Sequence, residues 1–287
     1  MKIILAKTAG FCFGVNRAVN RLDTMIKAHT NQEIPIYSYG PVIHNPQVVN
    51  RFKDQGIIII NSLDELETYP PGKILIRSHG VSEAELTKLQ NKGFTIIDST
   101  CPYVKKIHKI VEKESLEGHS ILIIGDENHP EVKGIAGWAK GQVTIIKEPD
   151  EIDSFEFNLN ITYTVVAQTT FNIEKYKLIL KKLQKKSIRV IINETVCQAT
   201  VERQTEALEL AKKVTKMIVI GGKNSSNTQK LYEICKSQCK DTYYIETIEE
   251  LELNVFKDSD IIGITAGAST PKNIIEEVIS NVRNAKF

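Results

Sequence analysis

The sequence has few of the features that mark disulfide-rich or membrane proteins. Only five cysteines occur among 287 residues, which excludes a disulfide scaffold and favours thiols, metal ligands or catalysts in a reducing compartment. The purely apolar runs, such as Ile57–Ile60, fall far short of the roughly 18–20 residues that span a bilayer. The first ten residues hold too short an apolar run for a signal peptide. We therefore expect a cytoplasmic protein without a membrane helix.

An excess of one charge is also missing. The chain carries 37 Lys and Arg against 35 Asp and Glu, for a formal net charge of +2. Domains that bind nucleic acid normally carry a basic excess, and the aromatic residues, at 7%, form no visible platform for stacking bases. No nucleic-acid partner is predicted.

Three of the cysteines mark an internal repeat. Cys12, Cys101 and Cys197 are separated by 89 and 96 residues, and each ends an apolar, strand-like run and opens a helical pattern. After Cys12, apolar residues recur with a helical period, at Val15, Ala18, Val19, Leu22 and Ile26. Each helical pattern leads to a second apolar run that ends in Gly and a polar loop. These loops carry His44, His129 and Ser225.

A further strand and a second polar turn close each repeat. These turns carry His79, Thr169 and Ser269. Strands that alternate with helices predict parallel sheets, which bind ligands beyond the carboxyl ends of their strands. We therefore predict an α/β fold of three small, pseudo-threefold-related domains whose strand-end loops meet at a shared centre. The predicted limits are residues 15–100, 101–196 and 197–287, with residues 1–14 completing the third domain.

The three repeat cysteines are candidate metal ligands. A helix N-terminus favours a thiolate, and converging thiolates select zinc, copper(I) or an iron–sulfur cluster. Three cysteines on a 4Fe–4S cluster would leave one iron without a protein thiolate, whereas three on zinc would suit a hydrolase. A non-enzymatic iron–sulfur sensor is the third alternative. A single buried cysteine is usually only a small apolar side chain.

The polar loops are candidates for binding a small anion. The segment GKNSSN, residues 222–227, is typical both of a phosphate cradle and of an ordinary helix cap. His44, His79 and His129 are either structural strand ends or phosphate ligands. Glu131 is either a solvated residue at a helix N-terminus or a proton donor, and Thr169 is either a cap or a proton relay.

Cys235 and Cys239 lie outside the repeat pattern. They are spaced by one helical turn, so they face the same side of a predicted helix. A redox pair is conceivable, but ordinary core or surface thiols are the favoured interpretation.

Together these residues resemble the 4-hydroxy-3-methylbut-2-enyl diphosphate reductase (LytB-type) family. The resemblance covers nearly the whole chain, from residue 9 to residue 271. It rests on the segments AGFCFGVNRAV, GPVIHNPQVV, RSHGVS, DSTCPYVKKIH, GDENHPEVKG, AQTT, NETVCQATVERQ, GGKNSSNT and AGASTP.

The resemblance implies a specific site. Cys12, Cys101 and Cys197 would hold a 4Fe–4S cluster at the centre of a trefoil of three α/β domains, and the iron without a thiolate would bind the substrate hydroxyl. His129 and Thr169 would line the site, and Glu131 would deliver protons. The diphosphate would be bound by His44, His79, Ser225, Ser226, Asn227 and Ser269.

The resemblance also implies a reaction. An allylic diphosphate would undergo a two-electron, two-proton reductive dehydroxylation to isopentenyl and dimethylallyl diphosphate. Electrons would come from a small carrier such as ferredoxin or flavodoxin.

Overall fold

The alternation of apolar runs and amphipathic segments folds into three four-stranded sheets, each parallel throughout. The computed structural model describes residues 1–29 and 34–285. The strands are β1 (Lys2–Leu5), β2 (Ile36–Tyr39), β3 (Ile58–Ile60), β4 (Lys73–Ile76), β5 (Thr95–Asp98), β6 (Ser120–Ile124), β7 (Val143–Ile146), β8 (Thr162–Ala167), β9 (Arg189–Ile192), β10 (Lys216–Ile220), β11 (Thr242–Ile245) and β12 (Ile261–Ala266). The predicted α/β class with parallel sheets is confirmed.

Helices lie between successive strands, and parallel pairing requires such crossover connections. Short 3₁₀ helices form the connections from β3 to β4 (Glu65–Thr68) and from β11 to β12 (Ile248–Glu250 and Leu253–Val255), and the others contain α-helices. The α-helices are α1 (Phe13–Lys27), α2 (Pro46–Asp54), α3 (Glu83–Asn91), α4 (Pro102–Leu116), α5 (Pro130–Ala136), α6 (Glu151–Ser154), α7 (Ile173–Leu183), α8 (Gln198–Ala211), α9 (Ser226–Gln238) and α10 (Lys272–Asn284). Among the helices of the described residues, none has the length and apolar character needed to cross a membrane.

The three sheets share one strand order, which is the structural form of the sequence repeat. The orders are β3-β2-β4-β5, β7-β6-β8-β9 and, read from its other edge, β11-β10-β12-β1. In each sheet the two central strands are therefore the ones that end in the two polar loops of the repeat. The fourth strand of each sheet leads directly to one of the repeat cysteines.

The central strands are buried on both faces. In β6, Ile121 and Ile123 pack into one apolar cluster, and Leu122 and Ile124 pack into another. Successive side chains point to opposite faces of a sheet, so this strand contributes to two cores at once. That explains why it is a continuous apolar run rather than an alternating one.

The chain divides into two compact units. One comprises residues 1–16, 43–50 and 198–287 and holds the sheet formed by β1, β10, β11 and β12. The other comprises residues 17–42 and 51–197 and holds the remaining two sheets. The limits of the three domains stay a prediction, and residues 30–33 and 286–287 of those ranges lie outside the described residues.

Candidate active site

Each repeat cysteine lies between a strand and a helix. Cys12 directly precedes α1, and Cys197 directly precedes α8. Cys101 is the N-cap residue of α4 and is followed by Pro102, the first residue of that helix. All three are half-buried. Every thiol thus lies beside the amide-rich start of a helix, where a thiolate is stabilised.

A backbone hydrogen bond ties each of these cysteines to the loop that follows a central strand. The amide groups of Cys12, Cys101 and Cys197 donate to the carbonyl oxygens of Ala268 (3.3 Å), Ser78 (2.9 Å) and Thr169 (3.0 Å), respectively. These loops are the ones predicted to be equivalent from the positions of Ser269, His79 and Thr169. The same bond recurs three times, so the repeat extends to the backbone that orients the thiols.

Glu131 is buried and engaged with Thr169. Its side chain is in α5, and the residue is only 2% exposed. The Thr169 amide donates to Glu131 Oε1 at 2.6 Å, and Thr169 Oγ1 donates to Oε2 at 2.8 Å. The Thr169 carbonyl oxygen also accepts a hydrogen bond from the Cys197 amide. Thr169 therefore links the buried carboxyl group of Glu131 to a candidate metal ligand through hydrogen bonds.

His129 is the N-cap residue of α5. Its Nδ1 accepts a hydrogen bond from the Glu131 amide at 3.2 Å, and this geometry assigns the proton of the neutral ring to Nε2. The rings of His79 and His129 meet edge to face with centroids 5.4 Å apart. His79 in turn follows Ser78, whose carbonyl oxygen binds Cys101. The candidate residues of this unit therefore form one continuous group.

A second group of candidate residues lies in the other unit. Ser225 caps α9 by accepting from the Thr228 amide at 3.4 Å. Ser269 Oγ lies 3.2 Å from the His44 carbonyl oxygen and 3.4 Å from Ser225 Oγ. His44, Ser225 and Ser269, which are far apart in the sequence, are thus brought together at the carboxyl ends of β10 and β12.

Asn227 has a property that ordinary helix capping does not explain. It is 5% exposed, and its Nδ2 is buried without a hydrogen-bond partner in the part of the chain that the structure describes. Such an unsatisfied donor costs about 1–3 kcal/mol. An oxygen atom of a ligand would satisfy it, so this loop has the donor that a bound anion requires.

Two other polar residues of this loop, Ser226 and Lys223, are engaged within the protein. Ser226 Oγ accepts from Lys230 Nζ at 2.6 Å. Lys223 forms an ion pair with Glu250 at 2.6 Å, and its amide donates to Glu246. The loop lysine therefore faces acidic side chains, and the buried hydroxyl and amide groups are left as donors for an anion.

A close backbone contact explains the glycine at the start of this loop. A Cβ atom on Gly222 would collide with the His44 carbonyl oxygen. The glycine therefore allows the segment that carries His44 to approach the loop that carries Ser225. The sequence shows the Gly-Gly pair but not its contact, because the two segments are almost 180 residues apart.

Cys235 and Cys239 have a different environment. Both are buried in the apolar cluster beneath β10. Burial, with a smaller effect of Cys239, raises the pKa of the Cys235 thiol to about 12. Cys235 therefore stays a neutral thiol at physiological pH, which supports the interpretation of this pair as core residues.

One buried residue near the candidate ligands was assigned no role from the sequence. Arg203 in α8 is 4% exposed, and its guanidinium group donates to two backbone carbonyl oxygens. It lies in the segment NETVCQATVERQ, but a charged residue in a helical pattern is typical of a solvated face. Only the structure reveals its burial.

Fold and site together define a class of protein: an α/β ligand-binding protein in which each parallel sheet presents a thiol and polar loops at the carboxyl ends of its strands. Ligands of parallel sheets bind at that edge. The chain belongs to the LytB protein family, which matches residues 3–283. The predicted family is confirmed.

Named relatives match over their whole length. A 4-hydroxy-3-methylbut-2-enyl diphosphate reductase of Clostridioides difficile (strain 630) is 44% identical over 284 residues, covering 99% of this chain and 100% of the relative. A reductase of the same name from Thermoanaerobacter sp. (strain X514) is 45% identical, covering 100% of this chain and 98% of the relative.

Two solved structures are also similar. The E-1-hydroxy-2-methyl-but-2-enyl-4-diphosphate reductase from Plasmodium falciparum has a TM-score of 0.91 at 30% identity, covering 100% of this chain and 89% of that one. A structure of (E)-4-hydroxy-3-methyl-but-2-enyl diphosphate reductase, described as the terminal enzyme of the non-mevalonate pathway, has a TM-score of 0.69 at 39% identity, covering 99% of both chains.

Proposed function

We propose that this chain is a 4-hydroxy-3-methylbut-2-enyl diphosphate reductase. It removes the allylic hydroxyl group of its substrate as water, consuming two electrons and two protons, and yields isopentenyl and dimethylallyl diphosphate. Full-length similarity to reductases of that name supports the reaction. The geometric observation that carries the proposal is the buried Glu131–Thr169 pair bonded to the loop that holds Cys197.

Cys12, Cys101 and Cys197 are proposed as the protein ligands of one 4Fe–4S cluster. Their donor set suits it, because soft thiolates favour iron–sulfur clusters and each backbone amide is tied to a neighbouring loop, which fixes the direction of its thiol. When bound, such a cluster supplies electrons and a Lewis-acidic iron for the departing hydroxyl group.

His44, His79, Ser225, Ser226, Asn227 and Ser269 are proposed to bind the diphosphate. The buried, unpartnered Nδ2 of Asn227 supports this assignment most directly. The adjacent hydroxyl groups of Ser225 and Ser269 can each turn a proton toward a phosphate oxygen, at the start of helix α9, whose N-terminus favours negative charge. Hydrogen bonds to a charged acceptor are the strong ones.

Glu131, Thr169 and His129 are proposed to act on the hydroxyl end of the substrate. Thr169 Oγ1 donates to Glu131 Oε2 in this structure. Once Glu131 is protonated, it can donate to Thr169 Oγ1 instead, while the Thr169 hydroxyl proton moves on to the leaving hydroxide. His129 holds a proton on Nε2 and can donate it to a substrate oxygen. A buried acid with a defined relay is what this step needs.

A small electron carrier such as ferredoxin or flavodoxin is the proposed electron source, and the cytoplasm is the proposed location. The free thiols of Cys12, Cys235 and Cys239 are consistent with a reducing compartment.

Anaerobic reconstitution tests the proposal. The purified chain should take up about four irons and four sulfides, turn brown, and change its visible spectrum when the hydroxylated allylic diphosphate is added. With reduced methyl viologen it should then form both products. A colourless chain that binds one zinc and no iron would contradict the cluster and the reductase activity together. Cys235→Ser is the matched control for Cys197→Ser, and only Cys197→Ser should lose the cluster.

A further inference from the structure

Arg203 is a buried positive charge next to a proposed cluster ligand. It lies in α8 and is 4% exposed. Its Nη1 donates to the carbonyl oxygen of Ala266 at 2.6 Å, and its Nη2 donates to that of Gly10 at 2.8 Å. Both partners are neutral backbone groups, so the guanidinium charge is fixed in place by hydrogen bonds without being cancelled by them.

The two carbonyl groups belong to the two segments that hold Cys12. Gly10 lies two residues before Cys12, with φ at +98°, a conformation that favours glycine. Ala266 ends β12 and lies two residues before Ala268, whose carbonyl oxygen accepts from the Cys12 amide. One planar guanidinium group therefore joins both sides of the Cys12 loop, a task for which its fork of donors is well suited.

Arg203 and Cys12 interact electrostatically. Burial lowers the pKa of Arg203, and attraction to Cys12 and then to Glu206 raises it; arginine nevertheless stays protonated in proteins. Glu206 does not neutralise this charge by direct pairing. Its carboxylate accepts from the amides of Lys7 and Thr8 and from Thr8 Oγ1, at 2.6–2.9 Å.

We propose that Arg203 positions Cys12 and raises the reduction potential of the iron–sulfur cluster that Cys12 binds. The proposal rests on the proposed function, which supplies the cluster. Reduction adds a negative charge, and a buried cation stabilises the reduced form more than a solvated one because the screening is weak. Net charge and hydrogen bonding around the ligands are known to set such potentials.

Redox titration of the reconstituted full chain tests the inference. Arg203→Met keeps the length of the side chain but removes its charge and donors. Its cluster should be harder to reduce by about tenfold in equilibrium constant, which is about 59 mV for one electron. Arg203→Lys keeps the charge but loses the fork of donors, so its equilibrium constant for reduction should stay within about threefold of wild type while a chelator removes iron faster. Lys212→Met, which removes an exposed cation that follows the same helix, is the control and should behave as wild type.

The outcomes separate this inference from the proposed function. A loaded wild-type chain whose potential Arg203→Met leaves unchanged overturns only the role of Arg203. A tenfold shift of the equilibrium constant in Arg203→Lys overturns the role of the charge, and this outcome can be measured even if the methionine variant fails to fold. A wild-type chain that takes up no iron overturns both proposals.

Discussion

Two loops in equivalent places of the repeat have opposite chemistry. The loop 125–131 follows β6, and the loop 221–227 follows β10. Each begins with a glycine whose amide donates to the neighbouring strand at 2.9 Å, Gly125 to Ile146 and Gly221 to Ile245. Four residues later each loop has the residue that caps the next helix, His129 in one and Ser225 in the other.

The difference lies two residues beyond the cap. Glu131 has both carboxyl oxygens hydrogen-bonded to Thr169, whereas the buried Nδ2 of Asn227 has no hydrogen-bond partner among the described residues. In the first loop the carboxyl group is engaged with Thr169, the neighbour to which the proposed relay would pass its proton. The second leaves a donor for a ligand. The shared backbone sets the position of the side chain, and the chemistry of that side chain is the reason we propose different roles for the two loops.

The largest expected effect is the loss of turnover in Glu131→Gln. The amide keeps the shape of the side chain but cannot supply a proton, so kcat should fall by about 10²–10⁴-fold with little change in KM or in iron content. The exposed Glu127, in the same loop, provides the control Glu127→Gln, which should retain full activity. Near-normal turnover of Glu131→Gln in the viologen-linked assay would remove Glu131 from the proton path.

Asn227→Asp should damage binding rather than chemistry. The carboxylate replaces the unpartnered donor with an acceptor and repels the diphosphate, so loss of a charge-assisted hydrogen bond worth about 1.5–3 kcal/mol, together with the repulsion, should raise KM about 100-fold or more. Asn224→Asp, at an exposed position of the same loop, matches its change in charge and should raise KM far less. A pure kcat defect in Asn227→Asp would show that the two loops do not divide the substrate as proposed.

Stability without substrate should distinguish the two loops again. Thr169→Val removes a partner of the buried Glu131 and should lower the free energy of unfolding by about 1–3 kcal/mol. Asn227→Leu removes a buried donor that has no partner among the described residues, so it should leave that free energy unchanged or raise it by up to about 1–3 kcal/mol. Urea titration of both ligand-free variants measures the difference, and equal losses would contradict it.

Acid sensitivity gives the most gradual expected effect. Trp138, just beyond α5, stacks on buried His108 with ring centroids 5.3 Å apart. Burial lowers the pKa of His108 from 6.5 to about 4. Between these two pH values the His108 side chain is protonated in the unfolded chain but neutral in the folded chain. Stability should therefore fall as the pH drops from 6.5 toward 4, by about 1.4 kcal/mol per unit at most. In urea titrations across this range, His108→Phe should lack this part of the pH dependence, and an unchanged slope would disprove it.

The strands and helices of the fold could be predicted from the sequence because each repeat contains local patterns of apolar residues that indicate them. The helical spacing of Ala18, Val19 and Leu22 predicts the buried face of α1, and all three are buried. The even spacing of the cysteines predicts three copies of one strand–helix pattern, and three sheets share one strand order.

Contacts between distant residues are what the sequence could not reveal. Glu131 and Thr169 are 38 residues apart, and Arg203 and Gly10 are 193 residues apart. No local period encodes such a pair, and a helical arginine has the same pattern whether it is solvated or buried. Likewise, the sequence does not show which groups surround the side-chain amide of Asn227, so its lack of a partner among the described residues is visible only in the structure.

The pairing of the first strand with the last has a consequence for synthesis. Lys2–Leu5 pairs with Ile261–Ile264, and the Cys12 amide binds the Ala268 carbonyl oxygen. At about 5–20 residues per second, a ribosome needs roughly 13–50 s after making Cys12 before it makes that partner. During this time the first thiol emerges without the loop that will orient it and is open to oxidation. If the three cysteines bind one cluster as proposed, its iron should therefore be inserted only after Ala268 has been synthesised.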